Sequence, residues 1–145
     1  MKKSVYQFVQ EFNSKYPLSI GWRLKKHCKV IEQFLNPDET VLYAFFAQKN
    51  NNPLDIITTN VVALTNKRIL IGTKRVVFGY FYTAITPDLF NDLKVHSGIV
   101  WGKVYIDTVN EFVTLSNIQK DALDEIETNI TEYMMEEKKK YKGNR

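Results

Sequence analysis

The chain has 145 residues, 44% of them apolar and 25% charged, with a formal net charge of +4. Six glycines and four prolines are too few for a collagen-like or low-complexity chain, and 13% aromatic residues argue against disorder. No apolar run approaches the ~20 residues of a membrane-spanning helix, the one cysteine, Cys28, excludes an internal disulfide framework or a Cys-rich metal site, and the start at Met1–Gln7 lacks the apolar core of a secretory signal, so the expected location is cytoplasmic.

Three parts are expected: an N-terminal helical extension over 1–35, a β-rich unit over 36–141, and a tail at 142–145 that frays. Val5, Phe8, Val9 and Phe12 fall at helical spacing, which predicts a first helix over Ser4–Phe12. Lys15-Tyr16-Pro17 interrupts it, because proline disfavours a helical residue before it. Ile20, Leu24, Cys28, Ile31 and Leu35 define the apolar stripe of a second helix over Ser19–Leu35, whose other faces carry Arg23, Lys25, Lys26 and Lys29. Asn36-Pro37-Asp38-Glu39 ends it.

The period then shortens. Strands are expected over Thr40–Gln48, Ile56–Thr65, Arg68–Thr73, Arg75–Ile85, Leu93–Ser97, Val100–Thr108 and Glu111–Leu115. Asn66-Lys67 reads as a hairpin turn with asparagine at positive φ, and Gly79 as a bulge inside a strand. Ile118, Ala122, Ile126 and Ile130, with Leu123 and Tyr133 beside them, form the stripe of a last helix. Ser116 and Gln119 fit a capping box at its start. Acidic residues crowd its first half and Lys138, Lys139 and Lys140 its end, as the helix dipole favours.

Seven strands followed by one amphipathic helix is the pleckstrin-homology (PH) order, and three stretches sharpen the likeness. Leu64-Thr65-Asn66-Lys67-Arg68-Ile69-Leu70 resembles the L-T-N-K-R hairpin of bacterial PH-like domains. Asn36-Pro37-Asp38-Glu39-Thr40-Val41-Leu42 resembles their step into the first strand, and the glycine-flanked 97–106 stretch is similar to a later hairpin. The chain thus resembles the YokE-like bacterial PH-like family over about Asn36–Tyr133. The resemblance implies an α+β, mainly β fold: a seven-stranded curved sheet or barrel capped by the C-terminal helix, with the N-terminal helices as an extension.

Catalysis has little support. His27 and His96 are far apart in sequence and no nucleophile-elbow, P-loop or dinucleotide-binding motif occurs, so neither an enzyme nor a cofactor is expected. Two distant histidines and one cysteine have no metal-ligand spacing. Cys28, on an apolar stripe, reads as a buried thiol.

Charge is unevenly spread: residues 1–72 carry ten Lys/Arg against five Asp/Glu, and 73–145 ten against eleven. Most of the excess lies between Arg23 and Lys29. Trp22, Arg23, Lys25, Lys26 and Lys29 therefore form one candidate surface, suited to an anionic membrane if helix 20–35 presents them outward. Ile99, Trp101 and Lys103 form a candidate hairpin contact. The loop at 49–55, where many PH domains grip inositol phosphates, has one lysine and one aspartate, too sparse for a phosphoinositide. Nucleic acid is not expected either, since no recognition motif accompanies the short basic cluster. The first reading is a non-catalytic module for a protein, a peptide or a second copy of itself; the alternative is peripheral attachment to anionic lipid.

Overall fold

The computed structural model describes residues 2–50 and 52–143, with side chains through Lys140. Helices α1 (Val5–Lys15) and α2 (Leu24–Glu32) precede seven strands, and α3 (Leu123–Gly143) follows them. The strands are β1 (Val41–Gln48), β2 (Thr59–Thr65), β3 (Ile69–Lys74), β4 (Tyr80–Ile85), β5 (Phe90–Ser97), β6 (Trp101–Thr108) and β7 (Phe112–Gln119). They form one antiparallel sheet in the order β4-β3-β2-β1-β7-β6-β5, which leaves β4 and β5 as its edges. The register between β1 and β7 holds the pair Gln48–Ser116 alone, so the sheet divides into two halves there and curls into a half-barrel. This is the mainly β architecture expected. The tail at 142–145 is helical in its backbone as far as Gly143, and 144–145 lie outside the described residues.

All seven residues of β2 are buried, which an antiparallel strand achieves only with both faces covered. On one face α1 packs against β1 and α2 against β2 and β3. The other looks into the barrel, which α3 plugs with Ile126, Ile130 and Met134, each fully buried. Residues of α1, α2, the sheet and α3 belong to one continuous core.

Two of the three stretches that carried the family likeness meet in space. Glu39, from the proline–acid step, has a fully buried side chain. The Arg68 guanidinium of the L-T-N-K-R hairpin donates to both its oxygens, Nε to Oε2 at 3.0 Å and Nη2 to Oε1 at 3.0 Å. The Thr65 hydroxyl and the Asn36 amide also donate to Glu39. Burial pushes this carboxyl up, but Arg68, Thr65 and Asn36 outweigh it and hold it below the usual range. Asn66 does not sit at positive φ; instead it pairs with Thr40 through its own N–H and Oδ1, while the Thr65 hydroxyl accepts from the Lys67 and Arg68 amides and closes the turn.

Several boundaries differ from those the periodicity predicts. The second helix is Leu24–Glu32, not 19–35. Residues 18–20 instead dock on the end of β7, with Ile20 N–H donating to Asn117 O at 2.9 Å and Gln119 N–H to Ser19 Oγ at 2.8 Å. Gly21 lies so close to Phe46 that a Cβ would fall 2.4 Å from its ring, and Arg23 enters the helix at φ 56°. The capping box expected at Ser116–Gln119 is absent, because those residues continue β7. Pairing of Gly102 with Ile118 and Trp101 with Gln119 outweighs a cap worth about 1 kcal/mol. A capping box does occur, at Ser4 and Gln7 of α1. The strand expected over Arg75–Ile85 begins only at Tyr80, and Arg75–Gly79 forms a hairpin loop closed by Arg75 N–H to Gly79 O, with Gly79 at φ 82°.

Candidate functional site

The shortening of α2 redistributes the basic cluster. Arg23, Lys26 and Lys29 line one groove, where Lys74 from the end of β3 and Tyr80 from the start of β4 join them, together with Val30 and Gln33. The groove has a volume of about 390 Å³ and no acidic residue in its lining. Among the described residues, none of these four cations has a carboxylate within ion-pair distance. Lys25 points the other way, its Nζ 6.0 Å from the Tyr6 ring of α1. Trp22 is half-buried beneath the Arg23 guanidinium, 5.1 Å from the ring.

His27 fixes the groove to the sheet. Its buried imidazole accepts the Lys74 backbone N–H at Nδ1, 2.7 Å away, which places its proton on Nε2. Burial pulls the ring down to about 4; the Trp22 carbonyl works against this and the Arg23 charge with it. The ring is therefore neutral near pH 7. Gly72 of β3 completes the fit, since a Cβ there would press on Ile31 at 3.0 Å and Val30 at 3.2 Å.

Beside the groove stands the β3–β4 hairpin. Val77 is 84% exposed and Phe78 73% exposed, and Val76 and Phe81 are exposed with them. The Arg75 guanidinium lies 5.3 Å from the Phe81 ring and 6.0 Å from that of Phe78, so its charge sits among the aromatic rings. Sequence reasoning missed this tip because it took Val76-Val77-Phe78 for the interior of a strand. The signal was present in the run itself: three apolar residues bounded by Lys74-Arg75 and a glycine.

The second candidate surface is built differently. The indole N–H of Trp101 donates to Leu18 O at 2.8 Å, so the ring is pinned against the α1–α2 connector. Ile99 beside it is exposed, and Lys103 is half-buried on β6. In the loop between β1 and β2 the asparagines serve the turn: Asn50 Nδ2 donates to Asp55 Oδ2, and Asn50 and Asn52 each accept a backbone amide two residues on. Asn51 lies outside the described residues. A depression of about 740 Å³ on the outer face of α1 is lined by polar and charged side chains, of which Lys3 and Glu11 pair with each other. Burial pushes the Cys28 thiol up to about 12, with the Glu32 charge adding to it, which keeps it protonated. Among the described residues no three His, Cys, Asp or Glu side chains are grouped to hold a metal ion, and no helix is long and apolar enough to cross a membrane.

A curled seven-stranded sheet plugged by a C-terminal helix, with two further helices laid across its outer face, defines a PH-type module with an N-terminal extension. The family model described as "Bacterial PH domain" matches residues 35–132, and the chain belongs to that family. Among solved structures it is similar to a DUF1696 family protein with a pleckstrin-homology domain from Shewanella loihica, at 12% identity and a TM-score of 0.48, over 73% of this chain and 91% of that one. It is also similar to a pleckstrin homology domain from Shewanella amazonensis, at 14% identity and a TM-score of 0.49, over 73% and 83%. No curated protein matches the chain. The family match begins at residue 35, so α2 with its N-cap Arg23, the stretch that supplies three of the four groove cations, lies outside it.

Proposed function

We propose that the chain is a peripheral docking module for anionic phospholipid surfaces, using the α2 groove and the β3–β4 hairpin together. One observation carries this reading: a groove lined by four cations with no carboxylate in ion-pair distance among the described residues lies beside an exposed apolar hairpin tip, with Arg75 on the tip itself. Each Lys or Arg near an anionic bilayer surface contributes about 1 kcal/mol. Five such residues give about 5 kcal/mol, a partition no tighter than the sub-millimolar range. Charge alone is therefore not enough, and the Val76-Val77-Phe78 tip supplies the remainder by entering the headgroup–acyl boundary. Neither term suffices without the other. The reading that the sequence puts first, a protein or a second copy as partner, has its support elsewhere, at the unpaired β4 edge.

Vesicle co-sedimentation tests the lipid reading. The protein is expected to pellet with phosphatidylserine-containing vesicles at low salt, to be released as salt rises, and to ignore neutral phosphatidylcholine vesicles. Equal recovery with both lipids, or none with either, sinks it.

A further inference from the structure

The two edges of the sheet are not alike. Along β5 stand Asp92, Lys94 and His96, α3 packs against it, and Lys138 Nζ donates to the Phe90 carbonyl. Charged side chains of this kind keep an edge strand from pairing with another chain. The other edge, β4, reads Tyr-Phe-Tyr-Thr-Ala-Ile from Tyr80 to Ile85, with no charge, no glycine and no proline. Phe34 stacks on Tyr82 at 3.9 Å and tilts against Tyr80 at 5.5 Å, which holds one face of the strand and leaves its hydrogen-bonding edge open.

We propose that β4 pairs antiparallel with β4 of a second copy of this chain, forming a two-fold dimer that joins the two sheets edge to edge. Charge decides the direction. A parallel pair would set the Lys74-Arg75 ends and the α2 grooves of the two copies side by side. An antiparallel pair offsets them along the strands by four to six residues, about 14–20 Å at ~3.4 Å per residue, beyond the screening length of about 8 Å at physiological salt. It also brings the exposed Asp88 of each copy to the basic hairpin end of the other. In a two-fold antiparallel pair, partners must share a face of the sheet, so the axis falls on Tyr82 or on Thr83. Asp88, in the turn that follows β4, then stands at the end of the pair where the partner copy's 75–79 loop begins. β4 ends at Ile85, and the turn closed by Leu89 N–H to Thr86 O ends the pairing there. Tyr80 and Phe81, both exposed in one chain, lie along the joined strands.

Sedimentation equilibrium without lipid tests this separately from the membrane reading. An edge pair buries less than a standard interface, so a monomer–dimer equilibrium is expected between about 1 μM and about 1 mM. Thr83→Lys places like charges at the axis or within two residues of it, and is expected to weaken the dimer at least tenfold, with an unchanged urea midpoint reporting an intact fold. Hydrogen exchange on the natural chain gives a second measurement, in which β4 amides become more protected as concentration rises. A monomer at every concentration, a dimer indifferent to Thr83→Lys in a folded variant, or β4 exchange independent of concentration overturns the proposal.

Discussion

Arg68 and Glu39 hold the start of the barrel to its first hairpin, and the burial of Glu39 sets the energetic stake. Removing one member of a buried pair strands the other, which costs about 3–5 kcal/mol. Arg68→Ala is expected to lower unfolding stability by that amount in urea, with little effect on lipid attachment beyond what lost folding explains. His27 makes a pH prediction. Its folded pKa of about 4 lies below its unfolded value of 6.5, so the unfolded chain binds the extra proton first. The stability this represents is full above pH 6.5 and is lost as pH falls toward 4. Between pH 7 and 4.5 the loss amounts to roughly 2–3 kcal/mol, and His27→Gln should flatten it in urea titrations at the two pH values. The family motifs were legible in sequence as marks of kinship. Their physical role was not, because Glu39 and Arg68 are 29 positions apart and only the folded sheet joins them.

At the scale of elements, helix α2 and the β3–β4 hairpin form one surface from two distant segments. Periodicity found the basic cluster and lengthened its helix at both ends, since an apolar residue such as Ile20 reads the same whether it packs from a helix or from a connector docked on β7. The hairpin tip escaped for a related reason: apolar residues are usually interior, and nothing local distinguishes an exposed V-V-F from a buried one until the strand register is known. The two halves of the surface predict separable variants. Lys26→Glu with Lys29→Glu and Lys74→Glu should abolish attachment to anionic vesicles by reversing the groove's charge, whereas Lys25→Glu, on the other side of the helix, should reduce it far less. Phe78→Asp should abolish attachment at any salt. Because Phe78 is exposed, its unfolding stability should stay within about 0.5 kcal/mol of the natural chain.

The whole molecule behaves as one core rather than as a barrel with an appendage. Val5, Val9, Phe12 and Ile31 of the two N-terminal helices are buried in the same cluster as the sheet and α3. Burying four such side chains is worth about 6–12 kcal/mol, comparable with the entire stability of a typical domain. Residues 36–145 alone are therefore expected to lack a cooperative unfolding transition by circular dichroism, although the family match lies almost wholly within them. The strand count and the closing helix were readable from periodicity and turns. The use of α1 and α2 as the sheet's outer cover was not, because an amphipathic stripe shows that a helix packs on something without naming it. What this cover adds to a PH barrel is the basic groove beside the hairpin. The most direct test of that arrangement compares the natural chain with Phe78→Asp on phosphatidylserine vesicles at low and at high salt. Salt-sensitive binding by the natural chain and none by the variant is the predicted result; variant binding equal to that of the natural chain would contradict the account.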